Sequence, residues 1–231
     1  DMNDPTTGNT DMYAGGEQDE AFGVDLVQIG VSGSRGDVSY AAAINFGDLA
    51  DSAGDTESGN ATLATANIAY DAGGVTVTAG RFGTPIGYEV LEPWGNDHVS
   101  RSYNWGAQPI SHDGLTISTA IGGADVTLGA VNNLSVNDTS NDADDEMGII
   151  AAIGTSVGDW DVSLSGIVTE DGDATGNDHT IANLILSGEL AGMPLSIEVT
   201  DSEDEDVAAG TTEDFRSVSV YTGTSVGSAD L

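Results

Sequence analysis

Arg81 and Arg101 are two of only four arginines in a sequence without lysine, and they bracket Glu89, Glu92 and Asp97 within one irregular stretch, Gly80 to Tyr103. Opposite charges held close in a confined space do one kind of work without making or breaking bonds. They set the cross-section and the sign of the field that a passing solute meets. The same residues have a plainer use, because a charge pair from Glu89 to either arginine would clip the loop in place. At the level of sequence both uses stand, together with direct contact to a ligand.

Other chemistry finds little support. His98, His112 and His179 are far apart and none sits at metal-ligand spacing, so no zinc site is expected. There is no GxSxG elbow to expose a serine nucleophile, and the absence of cysteine removes disulfides, thiolate metal sites and cysteine catalysis. We expect neither an enzyme nor a cofactor. Two acidic stretches could hold calcium weakly. Glu170 to Asp178 offers Asp171, Asp173 and Asp178, and Asn141 to Glu146 offers Asp142, Asp144 and Asp145, but neither fits the twelve-residue calcium-loop frame. Solvated acidic loops are the ordinary reading.

The whole composition is as lopsided as these stretches. Thirty-nine acids against four arginines give 231 residues a formal net charge of -35, with 39% hydrophobic and 6% aromatic residues. Nucleic acid and anionic headgroups are excluded as partners, since a polyanion would be repelled rather than release counterions. The acidity reads either as adaptation to high salt, where the Debye length shrinks to about 3 Å at 1 M, or as a field that attracts cations. No run approaches the roughly 18 apolar residues of a membrane-spanning helix. The chain opens at Asp1 without a targeting segment, which reads as a processed or truncated chain.

The elements that must position the charged stretch are strands. In DVSYAAAINF, Val38, Tyr40, Ala42, Ile44 and Phe46 fall on one face and Ser39, Ala41, Ala43 and Asn45 on the other. The same period of two recurs in GVTVTAG, DGLTIST, DWDVSLS and MPLSIEVT, where Leu195, Ile197 and Val199 oppose Ser196 and Glu198. Eleven strands are expected near 24–33, 37–46, 61–70, 74–82, 114–121, 124–132, 148–156, 160–169, 180–189, 194–201 and 214–223. Their links alternate: SRGD, DAGG, GGAD, SVGD and LAGM are short glycine-bearing turns, while 47–60, 83–113, 133–147, 170–179 and 201–212 are long. That alternation, with one greasy and one small polar face, is the pattern of a membrane-spanning antiparallel β-barrel rather than a Greek-key sandwich. The acidic runs, DSEDED (201–206) included, are expected in the long loops. Both ends read as cut, with a twelfth strand beginning at Thr224 to Leu231.

The longest link, 83–113, is too rich in large side chains to be a floppy connector. Pro85 and Pro93 stiffen it, and Tyr88, Trp94, Tyr103 and Trp105 join Ile86, Val90 and Leu91 as packing groups. Inside a barrel the surface available to them is the lumen wall.

The run AGRFGTPIGYE (Ala79 to Glu89), followed by Asn96, SRSY (Ser100 to Tyr103), Pro109 and the His112-Asp113-Gly114 strand start, resembles the OmpL-like family of β-barrel porins of Gram-negative bacteria. The match is specific over Gly80 to Leu115 and looser over the flanking strands. The resemblance implies an outer-membrane channel with no catalytic role. The resulting expectation is an all-β, antiparallel transmembrane barrel over residues 1–231 as a single domain, with at least eleven strands and twelve or more in a complete protein. The 83–113 loop would fold inward as a constriction lined by Arg81, Glu89, Glu92, Asp97 and Arg101. Such a porin would pass small hydrophilic solutes by diffusion, with cation preference, in the outer membrane of a Gram-negative, salt-adapted bacterium. Its partners would be outer-membrane lipid, the solutes, and copies of itself, a trimer by analogy alone. The competing expectation is a secreted, acidic surface-layer or filament subunit with calcium-bridged loops.

Overall fold

The computed structural model describes residues 26–51, 61–98, 100–132, 147–169, 177–206, 210–223, 225–226 and 229–230. Eleven strands form one antiparallel sheet in which each strand pairs with its neighbours in sequence. They are β1 (Val27–Arg35), β2 (Val38–Phe46), β3 (Ala61–Asp71), β4 (Val75–Gly83), β5 (Ser111–Ile121), β6 (Ala124–Asn132), β7 (Met147–Val157), β8 (Trp160–Thr169), β9 (Asn177–Leu190), β10 (Met193–Asp206) and β11 (Thr211–Thr222). One helical turn, Asp48–Asp51, follows β2. Ser225–Val226 and Ala229–Asp230 pair with each other in a separate ladder rather than adding a twelfth strand to the sheet.

Alternation decides which face each residue takes, and the result is inside out relative to a soluble protein. Ile29, Val31, Tyr40, Ile68, Leu115, Ile117, Leu128, Ile149, Leu164, Val218 and Val220 are exposed on one face. Asn45, Thr62, Thr116, Ser165, Thr169, Asn183, Ser196, Glu198 and Thr200 are buried on the other. An apolar face of this extent is stable against lipid and not against water. On β7 the outward apolar residues run from Met147 to Val157. At about 3.3 Å per residue and a strand tilt near 40°, they make a band about 25 Å tall, the height of a barrel's lipid-facing belt. Tyr40, Tyr70 and Trp160 lie on the outward face near the short turns, where an aromatic girdle meets one membrane interface.

The sheet is curled, not flat. Laid flat, β1 and β11 would stand about 48 Å apart across ten strand spacings. Yet Gln28 on β1 donates to Glu92 at 2.9 Å and Tyr221 on β11 lies 3.3 Å from Glu89. Glu89 and Glu92 are three residues apart, a reach of at most about 11 Å. Both edge strands therefore close on one short piece of loop, although no ladder joins them among the described residues.

One expected partition is corrected. DSEDED is not a loop, because Asp201 to Asp206 continue β10 and pair with both β9 and β11. The link after β10 shrinks to residues 207–210, which breaks the long and short alternation at that end. Sequence periodicity failed there because both faces of the extension are polar: above the greasy band neither side of the strand needs to be apolar. Asn141 to Glu146 and Glu170 to Gly176 lie outside the described residues.

Candidate functional site: the inward loop

The loop between β4 and β5 enters the hollow of the sheet and is fixed there by apolar and polar anchors. Ile86, fully buried, packs with Val131, Ile150, Ile167 and Ile181, which β6 to β9 present inward, and with Phe82. Thr84 extends the β4–β5 pairing by donating its N–H to Ile110 O at 3.1 Å, and its hydroxyl lies 2.9 Å from His112 Nε2. Gly87 follows with φ +92, a region that side chains rarely enter, and a Cβ there would collide with the side chain of Gln108.

Past the glycine the loop meets β9 to β11. Tyr88 N donates to Glu198 Oε1 at 3.0 Å, and Asn183 Nδ2 donates to the same oxygen at 2.8 Å. The Tyr221 hydroxyl donates to Glu198 Oε2 at 2.7 Å, and it also lies 2.9 Å from Ser102 Oγ. Tyr88 stacks on Tyr221 with ring centroids 4.4 Å apart. Glu89 accepts from Ser102 N at 2.9 Å and from the Ser102 hydroxyl. Both carboxylates are buried, Glu198 at 0% and Glu89 at 4% exposure. Neutral donors from the loop and wall satisfy them, which is how buried acceptors are kept.

The rest of the loop is braced on itself. Asn96 accepts from Val90 N at 2.8 Å and donates to Val90 O and Glu92 O, closing the 90–96 bend. Arg101, 4% exposed, donates to Val90 O and Leu91 O at 3.2 Å each and sits 5.2 Å over the Trp105 ring. Burial lowers its pKa from the ordinary value, while the nearby charges of Glu89 and Glu92 oppose that shift. The Tyr88 hydroxyl donates to Asp97 at 2.6 Å, and burial together with that carboxylate raises its pKa.

Glu89, Glu92, Asp97 and Arg101 are thus brought together in the loop, but Arg81 is not among them. The β4–β5 register puts Phe82 opposite His112 on the inward face, so Arg81 and Asp113 fall on the outward face beside Ala79 and Leu115. There Arg81 makes a two-point ion pair with Asp113, at 2.6 and 2.8 Å. Its partner is Asp113, not Glu89. Trp105 packs under Arg101 and Pro85 leads into the buried Ile86, whereas Trp94 and Tyr103 are exposed. Of the weak calcium candidates, Asp171 and Asp173 lie outside the described residues and Asp178 stands opposite Glu205 at the start of β9.

Glu198, Tyr221 and Asn183 anchor the loop and were missed by sequence reasoning. Glu198 carried a usable signal, being the one acid within the alternating segment MPLSIEVT, on its small polar face. Tyr221 and Asn183 carried none, because nothing local shows that a loop over eighty residues away seats on them.

A family profile described as putative beta-barrel porin-2, OmpL-like, matches residues 1–222. No curated protein matches the sequence. Among solved structures, the chain is similar to OccK1 (OpdK) of Pseudomonas aeruginosa, at 12% identity and a TM-score of 0.48 over 87% of this chain and 56% of that one. It is similar to OccK9 (OpdG) of the same organism, at 13% identity and 0.47 over 86% and 55%. A BenF-like porin from Pseudomonas fluorescens Pf-5 gives 14% identity and 0.47 over 87% and 56%. The chain spans a little over half the length of each. With 222 of 231 positions inside the profile, a lipid-ready sheet and an inward loop where the shared motif lies, the chain belongs to the OmpL-like beta-barrel porin-2 family.

Proposed function

We propose that this chain forms the wall and constriction of an outer-membrane porin that passes small hydrophilic solutes by diffusion, with a preference for cations. The observation that carries the reading is the loop seated on the polar face of an inside-out sheet, where it touches both edge strands. A loop so placed narrows whatever passes along that face.

Charge supports the cation preference. Glu89, Glu92, Asp97 and Glu198 meet at the loop, and Asp125 and Asp161 fall on the same inward face. Arg81 lies on the outward face, and Arg101, buried beside Glu89 and Glu92, offsets part of their charge and leaves the acids in excess. Reconstitution of the protein into planar bilayers under a salt gradient tests the proposal. Discrete conductance steps with a cation-selective reversal potential are expected; a silent bilayer would sink the channel, and anion selectivity would sink the charge assignment.

A further inference from the structure

The wall is one layer thick, and beside the loop one of its ladders stops short. β3 pairs with β4 from Asp71–Thr76 to Ala66–Arg81 and no further, and a register shift opposite Ala43 and Ile44 falls at the same place. Among the described residues, Ala61 to Thr65 therefore have β2 as their ladder neighbour and no strand on the other side. On β4, Phe82 and Gly83 pair with β5 and not with β3. These are the residues from which the inward loop departs: Phe82 packs against the cluster around Ile86, and Thr84 carries the pairing on to Ile110.

Arg81 spans the place where the ladder ends. Its Nε and Nη2 hold the Asp113 carboxylate on β5 at 2.8 and 2.6 Å, and its Nη1 donates to Leu63 O on β3 at 3.1 Å. A planar guanidinium suits this task, because its donors leave one rigid fork in several directions at once. Depth gives the contact its weight. Arg81 stands six residues above Val75 and Leu63 eight above Asp71, about 15 and 20 Å up a belt about 25 Å tall. Among acyl chains no water takes the place of a missing strand donor, so Leu63 O depends on a donor from the protein. A cavity of about 160 Å³ lies behind, lined by Leu63, Gly83 and Ser111 of the wall and by Ile86 and Trp105 of the loop.

We propose that Arg81 is a positioning residue for the loop: from the outer face its side chain stands in for the absent β3–β4 pairing, holds the root of the loop to the wall and keeps acyl chains out of the cavity behind it. The seal rests on the belt and the ladder, and only the link to the bore rests on the porin reading. Arg216 and Asp201 supply the contrast. They too form an arginine–aspartate pair on neighbouring strands, but the β10–β11 ladder continues past them to Asp206–Thr211, so no strand donor is missing there. The same pair chemistry serves as a rung in the first place and is an addition to a complete ladder in the second.

Trp105 lines the cavity and reports on it once Trp94 and Trp160 are replaced by Phe. The full-length protein is placed in nanodiscs of phosphatidylcholine brominated along its acyl chains, where quenching of Trp105 should be weak. Arg81→Met keeps an unbranched stem and removes the donors, and it should raise the lipid-accessible fraction of Trp105 about ten-fold, the weight of one charge-assisted hydrogen bond. Arg81→Met with Asp113→Leu leaves no charge unpaired on the lipid face, and it should give the same rise if the single variant fails to fold. Arg216→Met should quench like the parent. In planar bilayers, open-channel noise should rise in Arg81→Met and not in Arg216→Met. Unchanged quenching in the Arg81 variants, or an equal rise in Arg216→Met, overturns the seal, and conducting channels whose noise Arg81→Met leaves unchanged overturn the hold on the loop. A silent bilayer with the quenching contrast retained overturns the porin reading and leaves the seal standing.

Discussion

The two arginines of the motif stretch illustrate how little a residue's neighbours in sequence say about its work. Arg101 is buried and gathers two carbonyls and an indole ring that only a folded loop brings together. Arg81, twenty residues earlier, is paired with Asp113 at a partly exposed site, 27% and 40% accessible. Removing a buried, charge-assisted donor set costs about 2–3 kcal/mol, whereas an exposed pair contributes under about 1 kcal/mol. Arg101→Ala should therefore lower the urea midpoint of unfolding in detergent micelles clearly more than Asp113→Asn, which breaks the Arg81 pair. Equal effects would show that Arg101 does not hold the loop.

At the scale of elements, the loop is a template rather than a decoration, since its geometry depends on one residue that cannot carry a side chain. Gly87 combines φ +92 with close approach to Gln108, so Gly87→Ala meets both backbone strain and a collision. A loss of about 1–3 kcal/mol is expected, together with greater conductance and open-channel noise as the loop leaves its seat. Unchanged noise would argue that the loop does not gate the bore. The strands that carry this loop were legible in the sequence because alternation is local: DVSYAAAINF, DWDVSLS and MPLSIEVT all present the expected faces. The extent of β9 to β11 was not, because alternation ends with the membrane while backbone pairing continues. Of the loop's seat, Glu89 was legible from the motif. Its partner Tyr221 on β11, and Glu198 on β10 that receives Tyr88 N, depend on curvature, which no short window of sequence encodes.

For the whole molecule the dominant quantity is the charge of -35. Where the projecting end of β10 runs beside β11, Glu203 faces Asp214 and Asp204 faces Glu213 across the ladder. Like charges opposed in this way repel, and screening relieves them as the Debye length falls from about 10 Å at 0.1 M to about 3 Å at 1 M salt. The urea midpoint in a neutral detergent should thus rise with sodium chloride over that range. A midpoint that falls would mean that attractive pairs such as Arg216–Asp201 outweigh the repulsion.

The register shift in β3 gives the wall an unexpected mechanical property. Thr62 faces the hollow, as Thr65 does, so the strand is two half-strands in antiphase joined at Ala64. The lower half is stitched on both sides and moves with the cylinder. Among the described residues the upper half has β2 as its only ladder neighbour, with Arg81 on Leu63 O and Thr62 on Ala50 O as point ties, so the wall at that corner is a flap on a single seam held by two latches.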